Sequence, residues 1–542
     1  MTVRAALVLC TMLAILSSVH ATICPKGPEL AKVLYVADTT KCSLDEHFFF
    51  ASIQGITAQK QPRIYLIQDK EPDEFWLAWM LKKGYVTSVR RVDAWDLPRI
   101  FARELKGAVI TDPKLPASVN VATAVSGVRQ YAICTPEIAA KAHLPVKADL
   151  RGRWRTNREA YSWVVERLGK DLSKQVLCSL QPYVGAGWLR DYLVQHKVFT
   201  FWIPGKDDKE RIGAGDDDEA YIRSTLRKWP SNIPIMGFWS AGEENAGVSE
   251  YGGLVLGGES GKFTVVSDWL ENASVHSGVR VLASAFRQKP EKTLKLDESK
   301  VYVAIVQYES GDCPWYWARI QYKDWQEPAR GTFPMGWCLG PTALDLMPAI
   351  LQWHYERATP NDRFFCAMSG AGYTMTPFFA KGMPNSAKVW DEFLGLTSDY
   401  MKRLDLSMVS LHTGGWGEPP QYGDSETFKR YADKMPWLKG ILSGFGRLED
   451  LDPKKAMHFT SNQVPVIHTL NRWLIEGDPT DYLAKQIRDA TPADRPGFMS
   501  VMALSWTYKP TIIKKAIDSV GSDYVFVTPT QLADLYKQSQ EK

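Results

Sequence analysis

From Ala31 onward the chain repeats one pattern, a short run rich in valine and isoleucine followed by an amphipathic segment of helix length. VLYVAD, RIYLIQD, AVITD and YAICTP set the rhythm, and VLCSL and FTFWIP continue it. Such runs are too short for buried helices, and their apolar residues do not alternate with polar ones as they would on a half-exposed sheet, which indicates parallel strands covered on both faces. From Ile233 the series lengthens through PIMGFW, KFTVVSD, VYVAIVQYESGD, MGWCLG, FFCAMSGAGY, MVSLHTGGW, GILSGFG, VPVIHTL, MSVMALSW and YVFVTP. Ten candidate strands thus compete for the eight places of a (β/α) barrel. The fold expectation is α/β, an N-terminal parallel α/β region followed by a barrel-like, TIM-type C-terminal domain, complete or distorted. An open doubly wound sheet is the alternative. Boundaries follow from the rhythm: subdomains over 22–150 and 151–231, and the barrel-like domain over 232–542, where catalysis is expected to sit if the chain is an enzyme.

The first 21 residues carry Arg4, an apolar stretch from Ala5 to Leu16 and small side chains near Ala21, the pattern of a cleaved export signal. A secreted or periplasmic protein is expected, and no later segment is apolar enough for a membrane span. With 65 basic and 61 acidic residues the net charge is +4, without a long basic run, so the electrostatic footprint of a nucleic-acid binder is missing. No CxxC pair occurs. Cys24 and Cys42 are the pair to consider for a disulfide, whereas Cys338 and Cys366 are expected as buried thiols.

In a barrel, chemistry collects where the strands end at the C-terminal face. The polar and aromatic residues at such ends are Trp239 with Glu243 and Glu244, Asp268, Glu309 and Asp312, Ser369 to Tyr373, His412, Trp416, His468 and Trp506. Twenty tryptophans are a heavy load, and Trp315, Trp317, Trp325 and Trp337 also lie where a ring could face a cleft and stack on a sugar. In SGAGYTMTP, glycines at 370 and 372 permit positive φ and leave room for a ligand, while Tyr373 offers a ring and a hydroxyl. Asp268 either serves the site or caps a helix, and Asn272, Ser274 and His276 either bind hydroxyls or hold their loop. No GxSxG elbow, HExxH helix or P-loop is present, and no HxxxH pair supports a metal site; no cofactor is implied.

DRFFCAMSGAGYTMTP resembles the signature of the GxGYxYP family of glycoside hydrolases. QYESGDCPWYW, ATPNDRF, FWSAGEENAGVSEYGGLV and VVSDWLENASVHSG are similar to further stretches of that family. Two departures stand out: Gly372 and Pro377 are five apart where the family spacing is four, with Thr376 in place of tyrosine, and Cys313 replaces an asparagine. The resemblance implies a carbohydrate substrate and hydrolysis of a glycosidic bond, which takes two carboxyl groups. Asp312 and Glu244 are the expected catalytic pair. Tyr373, Gly370, Gly372, Trp239, Asp268, Asn272, His412, Trp416 and Trp506 are the expected substrate-binding residues. A metal-dependent carbohydrate deacetylase and a noncatalytic glycan-binding protein are the alternatives.

Overall fold

The computed structural model describes residues 22–182, 187–205, 211–239, 250–308, 314–413, 422–445, 451–472 and 475–541. Three small parallel sheets precede a closed barrel. The first holds β1 (Val33–Asp38), β2 (Ile64–Ile67) and β3 (Ser88–Val92) in the order β2-β1-β3. The second holds β4 (Gly107–Ile110), β5 (Tyr131–Cys134) and β6 (Val146–Asp149) in the order β5-β4-β6. In the third, β7 (Leu177–Ser179), β8 (Phe199–Phe201), β9 (Pro234–Gly237) and β10 (Phe263–Val266) run in the order β10-β9-β7-β8.

The barrel comprises β11 (Val301–Tyr308), β12 (Met335–Leu339), β13 (Asp362–Cys366), β14 (Met408–His412), β15 (Gly440–Phe445), β17 (Pro465–Leu470) and β18 (Gly497–Leu504). β18 pairs with β11 and β11 returns to β12, closing a seven-strand parallel ring. β16 (Met457–Phe459) adds to β17 antiparallel. The last strand, β19 (Tyr524–Val527), pairs with β11 over Val301–Ala304, while β12 takes Val306 and Gln307 of the same strand. An eighth strand is therefore present but fills its gap only at the N-terminal end. All eight residues of β11 are buried, as a strand covered on both faces requires.

The expected start of the barrel at residue 232 is corrected by this topology. PIMGFW and KFTVVSD, the two surplus candidates, are β9 and β10 of the third sheet. The open-sheet alternative is excluded by closure. Cys24 and Cys42 are free thiols: the Ile23 and Cys24 amides are tied to Asp345 Oδ2 of the barrel domain at 3.0 and 3.1 Å, whereas Cys42 precedes the helix Leu44–Ala58. Cys338 and Cys366 are buried as expected. Among the described residues no helix is long and apolar enough to cross a membrane.

Candidate functional site

The signature loop after β13 is a structural clasp. Tyr373 and Thr264 of β10 exchange two backbone hydrogen bonds of 2.8 Å, so the loop joins the third sheet to the barrel. On its other side Met375 forms a bridge with His412, and the Thr376 amide donates to His412 O at 3.0 Å. Ser369 fixes the turn: its hydroxyl donates to Thr374 O at 2.6 Å and accepts from the His412 amide at 3.1 Å.

The two glycines make this closeness possible. Gly370 has φ of +119°, and a Cβ there would lie 2.4 Å from Thr397 Oγ1. At Gly372 a Cβ would lie 2.3 Å from Phe263 Cδ2. The room they leave is thus filled by the protein's own side chains rather than held open for a ligand. Tyr373 is buried, with its ring 5.7 Å from that of His412, which is also buried at the end of β14.

Other expected binding residues take core roles. Trp239 is buried, and its indole N–H donates to Thr264 Oγ1 at 2.9 Å beneath the helix Glu250–Glu259. Trp317, Trp325 and Trp337 are buried, the last donating to Asp362 Oδ1 at 2.9 Å. Asn272, at φ 52° in the turn after β10, is saturated. Its Oδ1 accepts from Gln54 Nε2 at 2.8 Å and Leu66 N at 2.9 Å, and its Nδ2 donates to Leu66 O at 2.8 Å and Asp73 Oδ1 at 3.2 Å. With every polar valence used it pins the first sheet to the third and has nothing left for a sugar hydroxyl. Ser274 is likewise buried, bonded to Asp191. His276 is buried neutral, its pKa lowered to about 4 by desolvation. His468 shares a 3.3 Å hydrogen bond with His458 and is lowered to about 3 by burial and by that second ring.

The residues with free chemistry gather one turn away, where β10, β11 and β18 end. Asp268 directly follows Ser267, whose hydroxyl accepts from Gly237 N at 3.0 Å and so fixes the strand end. Burial pushes the Asp268 carboxyl up to about 7. Backbone N–H groups of Asp268 and Trp269 oppose this in part, and the Trp315 indole N–H favours the ionised form without completing a hydrogen bond. Asp268 Oδ1 is buried with no hydrogen-bond partner, a carboxyl oxygen kept out of water and given nothing to bind.

A row of tryptophans starts beside it. Trp269 lies 5.0 Å from Trp188 and 4.8 Å from Trp315 between ring centroids, and Trp315 lies 5.8 Å from Trp506. Trp315 is buried, whereas Trp269 and Trp506 are 39% and 46% exposed. Behind the turn the Trp188 indole donates to Glu271 Oε1 at 2.9 Å, and Arg319 is ion-paired with Glu271 and, at 2.7 Å, with Asp69. Sequence reasoning named Asp268, Trp315 and Trp506 but missed Trp269, Trp188 and the Arg319–Glu271 tether. The available signal was a tryptophan next to a strand-end aspartate in SDWLEN. Asp312, Glu244 and Trp416, with Glu243 and Glu309, lie outside the described residues.

Comparison with known proteins accounts for this architecture unit by unit. Residues 33–103, 105–172 and 174–278 match the first, second and third N-terminal GxGYxYP domains, one for each small sheet. Residues 299–537 match the GxGYxYP putative glycoside hydrolase C-terminal domain, which is the barrel. No curated protein matches the chain. A crystal structure described as a putative hydrolase from Bacteroides thetaiotaomicron VPI-5482 shares the fold, with a TM-score of 0.79 over 95% of this chain and 96% of that one at 20% identity. Four consecutive matches, which together span most of residues 33–537, place the chain in the GxGYxYP family.

Proposed function

We propose that the protein is an exported hydrolase of glycosidic bonds in which Asp268 donates the proton to the departing oxygen. The observation that carries this is the state of Asp268, a half-buried residue with one carboxyl oxygen buried and unpartnered, next to the exposed Trp269 and the Trp315 indole on which the exposed Trp506 packs. A general acid must hold its proton near neutral pH yet release it when negative charge grows on the leaving oxygen, and a pKa near 7 satisfies both. The second carboxylate, nucleophile or base, is Asp312, four residues beyond the end of β11 in the sequence; Glu244 is the alternate member of the pair. The family description supports the reaction class.

New reducing ends released from an oligo- or polysaccharide panel are the expected result, with a rate that falls as pH rises above about 7. Release of acetate without reducing ends would indicate a deacetylase, and binding without turnover a glycan-binding protein; either outcome overturns the proposal. Export rests on the pattern of residues 1–21. Sequencing of the exported protein is expected to read from about Thr22, and an intact Met1 would contradict it.

A further inference from the structure

We infer that Trp269 and Trp506 form a two-subsite stacking platform, with Trp315 as its keel, that selects a neutral glycan lying across the junction of the third domain and the barrel. This rests on the glycosidase reading for its place beside Asp268. Its own support is geometric. Among the described residues the large hydrophobic side chains left exposed are four aliphatics and these two tryptophans, and both tryptophan rings pack on the same buried indole. Solitary exposed apolar residues need no explanation, but two part-exposed indoles sharing one support are an ordered surface.

The platform is built from three strand ends that belong to two domains. Trp269 follows β10 of the third domain, while Trp315 and Trp506 follow β11 and β18 of the barrel. Trp188 backs Trp269 at 5.0 Å, and its indole N–H is held by Glu271, so the turn carrying Trp269 is fixed before any ligand arrives. One pyranose ring on each exposed indole would make the surface suit at least a disaccharide, with the first ring next to Asp268, the residue before Trp269. Charge argues for a neutral chain. The guanidinium over the Trp188 ring at 5.4 Å belongs to Arg319, whose charge is already offset by the carboxylates of Asp69 and Glu271, so it adds no net positive charge to attract a uronic acid.

The test is calorimetric titration of the full-length protein with hexasaccharides of neutral β-linked glucose, xylose and mannose and of α-linked glucose, with hexagalacturonate as the charged counterpart. At least one neutral hexasaccharide should bind, and Trp269→Ala and Trp506→Ala should each weaken it about five- to thirtyfold. Trp506→Phe should recover part of the loss, and the corresponding monosaccharide should show little difference between variants. Unchanged affinity in both alanine variants, no binding of any neutral hexasaccharide, or tightest binding of hexagalacturonate would overturn the platform. Failure of the two claims is separable. A platform that binds while the wild type releases no reducing ends removes only the catalytic proposal, whereas turnover that persists with unchanged affinity in both variants removes only the platform.

Discussion

Replacing Asp268 by asparagine should abolish most turnover on an unactivated glycan, by about 10²-fold or more, while making the protein more stable at pH 8. Both effects have one cause. The site holds a carboxyl where its charged form is poorly solvated, so its pKa in the folded chain is raised above the unfolded value. A folded state that binds the proton more tightly loses stability as pH rises from about 4 to about 7, and above that window the full cost of the buried charge is present. Asparagine carries no charge at any of these values. Asp268→Asn should therefore match the wild type near pH 4 and exceed it by about 2–3 kcal/mol at pH 8, allowing for the partial exposure of the residue. Urea unfolding at the two pH values reads this directly. Equal stability at both would mean that the carboxyl is better solvated than its surroundings indicate.

The second large effect is expected at Asn272. Alanine there leaves the Leu66 amide and carbonyl, the Gln54 amide and Asp73 Oδ1 without their partner inside the contact between the first sheet and the third. Each abandoned buried group costs about 1–3 kcal/mol, and shared solvation by entering water limits the sum to about 3–5 kcal/mol. The urea midpoint should fall accordingly, with glycan affinity unchanged at a temperature where the variant is still folded. A loss of affinity without loss of stability would restore Asn272 to the binding site that its sequence position suggested.

The barrel was legible because closure requires strands buried on both faces, and VYVAIVQY or MSVMALSW can be little else. Which sheet a strand joins was not legible. PIMG and FTVV are locally identical in kind to barrel strands, and only the pairing of β9 with β7 assigns them to the third domain. The same limit applied to the site. SGAGYTMTP reads as a binding loop because glycine signals room for anything that approaches, and no local feature says that Thr397 and Phe263 fill the space. Trp239 and Asn272 follow strand ends as faithfully as Trp506 does, yet the helix Glu250–Glu259 and the first sheet cover them. Asp268 was visible as a strand-end carboxylate. Its unpartnered oxygen and the indoles around it depend on Trp188, Trp315 and Trp506, which come from distant parts of the chain.

That Asp268 is the proton donor is the central claim, and the dependence of its variant on leaving group tests it most directly. An acid is needed in proportion to the basicity of the departing oxygen, so a glycoside of an acidic phenol can leave without one. For Asp268→Asn, measured beside the wild type on aryl glycosides of the same sugar, the rate deficit should be about 10²-fold or more with a basic leaving group and should shrink to a few-fold as the phenol becomes more acidic. A deficit of the same size across the whole series, or none anywhere, would contradict the account.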